Sequence, residues 1–176
     1  MIAQTEADSG IQPQIEVMVE VEHPEGAIAT EAEWQSWFQT WLEAMQVNRS
    51  PIRAYEVGLQ LTDDATVHQL NATYRQQDKP TDVLSFAALE NEAPQVQELL
   101  QSEPLYLGDI IISLDTAQRQ AAEQGHSLRQ EILWLSVHGF LHLLGWDHPD
   151  DESLVKMLAK QAELLEKIGL SQGESS

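Results

Sequence analysis

The chain has 176 residues, 42% of them hydrophobic, with 9 Lys and Arg against 29 Asp and Glu and a formal charge of −20. Length and apolar content suit one globular domain and exclude wholesale disorder. The absence of cysteine excludes disulfides, thiolate metal sites and a cysteine nucleophile, and the acidity weighs against a protein that grips nucleic acid by bulk charge.

Any transition metal must then be held by His, Asp or Glu. No stretch reaches the roughly 18 apolar residues of a membrane span. Met1 to Gly10 has neither the basic nor the apolar region of a signal peptide. The expectation is a soluble cytoplasmic protein without membrane attachment.

Residues 1–13 read as a flexible leader. Ile15, Val17, Val19 and Val21 then alternate with polar residues and predict a half-buried strand, broken by Pro24 and Gly26. Thr30 and Glu33 form a capping box before an apolar stripe of Trp34, Trp37, Phe38, Trp41, Leu42 and Met45. That stripe predicts a helix whose tryptophans pack in the core. Tyr55, Val57, Leu59 and Leu61 predict a second strand. Thr62 is the expected cap of a helix reaching about Tyr74, with Val67, Leu70 and Tyr74 on one side. After the polar run Arg75 to Thr81, Asp82 to Phe86 predicts a third strand. Residues 90–103 carry four Glu and no base and read as a mobile acidic loop, with Leu99 and Leu100 leaving a short helix as the alternative.

Tyr106 to Ile112 predicts a fourth strand, and Thr116 to Gln124 a helix ended by Gly125. Ser127 and Gln130 cap the next helix, which runs to Leu144 and is apolar nearly all round, so it should be the buried central helix. A last amphipathic helix uses Leu154, Met157, Leu158, Leu164, Leu165 and Ile168. Residues 169–176 read as a flexible tail. The order of elements predicts an α+β fold with one mixed sheet packed by helices, in a single domain over residues 14–168.

The chemistry concentrates between His138 and His148. On a helix His138 and His142 lie about 40° apart in azimuth and about 6 Å apart along the axis, so their imidazoles can converge. Gly145 permits a left-handed stop, after which the chain can return His148 from a loop. Three His nitrogens leave one position open, which is the design of a catalytic zinc site. His23, His68 and His126 sit among polar neighbours and read as surface residues. Zinc peptidases place a Glu base directly after the first His; here that residue is Gly139. Glu131, about 10 Å along the axis from His138, is too far for base work. Asp147 either orients a ligand or stabilises the turn.

These residues resemble the YbeY family of bacterial metal-dependent endoribonucleases. The family pattern H-G-x-L-H-L-x-G-x-D-H is met in full from His138 to His148. A second block fits with Asn71, Tyr74, Arg75, Asp78 and the run Lys79 to Phe86, and a third from Leu107 to Ser113. Ala87 stands where the family often has proline. The resemblance covers about residues 14–168.

The resemblance implies one zinc ion on His138, His142 and His148. It implies that the third of four strands is an antiparallel edge beside the cleft. It implies a catalytic and substrate-binding role for Arg75, whose planar guanidinium suits the charge that builds on a cleaved phosphodiester. Lys79 is a candidate for a second phosphate contact. Asp78, Asp82 and Asp109 build loop and strand ends, cap backbone groups, or orient the site. The implied activity is single-strand-specific RNA cleavage in ribosomal RNA processing, including maturation of the small-subunit RNA 3′ end, and in ribosome quality control. The ribosome or its proteins would present the RNA, and no DNA substrate is expected. Two other readings stand beside it: a metallopeptidase-like zinc hydrolase, and a non-catalytic zinc-containing ribosome-assembly factor.

The charge is unevenly placed. Residues 1–48 hold nine acidic side chains and no Lys or Arg. With residues 90–103 also set aside, the rest holds all nine bases and a net charge of −7. This favours local recognition of RNA through one metal and one or two cations.

Overall fold

The computed structural model describes residues 12–77, 79, 81–88 and 102–170. The leader (apart from residues 12 and 13), residues 89–101 with most of the acidic segment, Asp78, Pro80 and residues 171–176 lie outside the described residues.

Among the described residues four strands form one sheet: β1 (Gln14–Val21), β2 (Ala54–Thr62), β3 (Val83–Ala87) and β4 (Leu105–Ser113), in the order β1-β2-β4-β3. β1, β2 and β4 run parallel, and β3 pairs antiparallel with β4 at the sheet edge. This is the mixed four-stranded sheet with an antiparallel edge that was expected. Among the described residues five α-helices accompany it: α1 (Glu31–Ala44), α2 (Asp64–Arg75), α3 (Leu114–Gln124), α4 (Leu128–Leu143) and α5 (Asp151–Glu166).

The inner sheet face carries Val57, Leu59, Ile110 and Ile112, all buried against α1 and α4. The tryptophan stripe of α1 is core. Trp34 and Trp41 are buried, and the Phe38 and Phe140 rings meet edge to face at 5.4 Å, joining α1 to α4. The Trp41 indole N–H donates to the Leu164 carbonyl at 3.1 Å, so its one polar group is satisfied inside the core. On the outer face a smaller cluster of Val67, Leu84 and Ile111 docks α2.

Two local expectations change. The cap of α2 is Asp63, which accepts from the Thr66 N–H at 2.8 Å; the Thr62 hydroxyl instead donates to Glu22 at 2.6 Å. Either oxygen fits the capping pattern, and the register of β2, which includes Thr62, decides between them. Tyr74 is not on the packed side of α2. It is 64% exposed, with its ring edge to face against Phe86 at 5.7 Å.

α4 is the buried central helix. Ser127 and Gln130 close its capping box. Position 139 faces the sheet at very short range: a Cβ there would stand 2.6 Å from Ile110 Cγ2 and 3.1 Å from Ser85 Oγ. Only glycine lets α4 come this close, and the Ser85 hydroxyl uses the approach to donate to the Gly139 carbonyl at 3.3 Å.

Candidate metal centre and substrate cleft

The last two turns of α4 present His138 and His142. The helix then stops in a Schellman turn: Trp146 N–H donates to the Leu141 carbonyl and Gly145 N–H to the His142 carbonyl, both at 3.0 Å. Gly145 has φ +99°, a conformation a side chain would strain. Arg49 donates to the last exposed carbonyl, Leu144, at 2.7 Å. The turn redirects the chain so that His148 comes back over the helix end. The Asp147 carboxylate accepts the His148 N–H at 2.8 Å, and Asp150 then caps α5. Asp147 thus holds the turn at the backbone of His148.

The three imidazoles meet. Ring centroids are 4.6 Å apart for His138 and His142, 5.7 Å for His138 and His148, and 5.5 Å for His142 and His148. One nitrogen from each lies within 4.8 Å of the others. The Nε2 atoms of His138 and His142 are 3.1 Å apart. Two nitrogens sharing a tetrahedral zinc at about 2.0–2.1 Å stand about 3.3 Å apart, so the pair fits one ion.

A residue the sequence reading missed fixes this arrangement. Gln161, fully buried on α5, has its side-chain oxygen 2.9 Å from His138 Nδ1, so Nδ1 carries the hydrogen and Nε2 is left as the ligand atom. Its signal was a polar residue at helical spacing within the apolar stripe of Met157, Leu164 and Leu165. His142 is also prepared. Burial, and then the neighbouring His138, hold its imidazole below the ordinary 6.5, which favours the neutral ligand form.

The imidazoles open on a cleft of about 770 Å³. Its opposite side is β3, with Arg75 at the end of α2 reaching over the strand. The Arg75 guanidinium donates to the Ser85 carbonyl and lies over the Phe86 ring, 4.8 Å from its centroid. Arg75 and the histidines thus border the same cleft from different elements. Lys79 is exposed and stands outside the residues that line the cleft, and its carbonyl accepts from the Asn71 side chain at 2.9 Å. Asp82 caps β3, accepting from Val83 N–H at 2.7 Å, and Asp109 accepts from the Tyr106 hydroxyl.

His126 is less of a surface residue than expected. Its Nε2 is 2.5 Å from the carboxylate of Glu131, which is 1% exposed inside the first turn of α4. Burial pushes the Glu131 carboxyl up, and His126 opposes that shift.

The family profile described as Endoribonuclease YbeY matches residues 19–169. The chain belongs to the YbeY family. Relatives named Endoribonuclease YbeY include one from a Nostoc species, 59% identical over 140 residues (80% of this chain and 76% of that one). Another, from Gloeobacter violaceus, is 47% identical over 171 residues, 96% of this chain and 82% of that protein. The solution structure of a Thermotoga maritima protein shares the fold, with TM-score 0.52 at 23% identity over 86% of this chain and 88% of that one. Among the described residues no helix is long and apolar enough to cross a membrane.

Proposed function

We propose that this YbeY-family chain is a zinc-dependent endoribonuclease that cleaves single-stranded RNA during ribosomal RNA maturation in the cytoplasm, on substrates presented by the ribosome. The observation that carries it is one cleft bordered by three convergent imidazoles and a guanidinium. Three neutral nitrogen donors suit zinc, and the cleft leaves the ion a side open to substrate. When bound, zinc supplies a Lewis acid that polarises a phosphoryl oxygen or lowers the pKa of water.

The chain's own residues do the rest. His138, His142 and His148 hold the ion, and Gln161 keeps the His138 ring turned to it. Arg75 binds the non-bridging phosphate oxygens and stabilises the charge that develops on them. Its contacts to Ser85 and Phe86 fix the guanidinium before substrate arrives, so little side-chain freedom is lost on binding. Lys79, exposed and bonded through its backbone to cleft-lining Asn71, supplies a second phosphate contact. Peptidase chemistry lacks its base, and the packing of Gly139 against Ile110 leaves no room to restore one.

Replacing Arg75 tests this reading. Arg75→Ala should lower kcat on a single-stranded RNA by about 100- to 1,000-fold, the cost of losing one transition-state donor, with metal content unchanged. Arg75→Lys should recover only part. Unchanged turnover in Arg75→Ala would remove the guanidinium from the mechanism.

A further inference from the structure

Arg75 borders two hollows. Besides the metal cleft, it lines a second space of about 310 Å³ with Tyr74, Phe86, Tyr106 and Asp109. The walls are aromatic and accessible: Tyr74 is 64% exposed and Tyr106 36%. They are also braced. Phe86 packs on the Val67, Leu84 and Ile111 cluster and holds the Tyr74 ring edge to face at 5.7 Å. The Tyr106 hydroxyl is tied to Asp109.

We propose that this hollow is a nucleobase subsite, in which Tyr74 stacks the base of a nucleotide flanking the scissile phosphate and Tyr106 forms the facing wall. The inference rests on the reading of the metal cleft as an RNA-cleaving site. A base is tied to its phosphate through a single ribose. A guanidinium that holds the phosphate in the cleft and also borders the aromatic hollow therefore delivers the attached base to that hollow. The Asp109 carboxylate repels a phosphate but accepts hydrogen bonds from base N–H groups, so the hollow suits a base and not the backbone. Stacking also needs no cations, which fits a chain with net charge −20. A base can enter only when it is unstacked from a duplex, so the subsite gives single-strand preference a physical source.

The test couples protein and substrate changes. Zinc-loaded full-length chain is assayed on a fluorescein-labelled single-stranded RNA and on the same RNA with an abasic nucleotide beside the mapped cleavage position. Binding is followed by anisotropy and cleavage by KM. The abasic change should weaken binding to wild type about 5- to 140-fold, the range of one lost base–aromatic stack. Tyr74→Ala should show a similar loss and no further penalty from the abasic substrate, and Tyr74→Trp should restore both. Independent, multiplicative effects, or wild-type affinity in Tyr74→Ala, would overturn the subsite while leaving the nuclease reading intact. Failure of wild type to bind or cleave either RNA would overturn the nuclease reading itself.

Discussion

At the scale of single residues, the centre depends on side chains that never touch substrate. Gln161 sets which nitrogen of His138 faces the ion. Gln161→Leu keeps the volume but removes the acceptor, so zinc affinity should fall about 10- to 100-fold. Gln161→Glu, which still accepts from Nδ1, should retain it; competition with a chelating dye measures both. Equal affinity in the Leu variant would mean that packing alone orients the ring. The histidine trio was legible in the sequence because 3.6-residue periodicity and a glycine stop are local rules. Gln161 was not, because it lies 23 residues away and meets His138 only through the packing of α5 on α4.

At the scale of elements, α4 joins the site to the core, and its first turn contains a buried acid. Glu131 has a folded-state pKa raised above its ordinary 4.5 by burial, against the opposing pull of His126. The folded protein therefore holds a proton that the unfolded chain has released. The group's contribution to stability is full below 4.5 and is lost as pH rises through the folded value. Urea denaturation of wild type should show this decline, and Glu131→Gln should lack that part of the slope. The same slope in both proteins would place the titration elsewhere. Capping boxes and strands were readable because they follow from short patterns. The exposure of Tyr74 was not, since period alone places it beside Val67 and Leu70, whereas the cluster that α2 docks on is small and ends at Phe86.

For the whole molecule, the charge of −20 sets how RNA is held. With Arg75 as the main cation beside the ion, the slope of log affinity for single-stranded RNA against log salt should lie near −0.7 to −1.4, about −0.7 per phosphate contact. A slope steeper than about −4 would reveal a basic track that this account does not contain. Sheet order was the least local property. The sequence pattern supports four strands in one mixed sheet, but the antiparallel edge came from family resemblance, because strand direction is decided by long-range pairing of β3 with β4.

The central claim is that three imidazoles hold a catalytic ion in the cleft that cleaves RNA. The direct measurement is cleavage of a single-stranded RNA by metal-stripped protein titrated with zinc, for wild type and His142→Ala, with folding checked by circular dichroism. Wild-type activity should rise with zinc to saturate at one ion per chain, and folded His142→Ala should neither retain the ion nor cleave. Wild-type rates from a folded, metal-free His142→Ala would contradict the account.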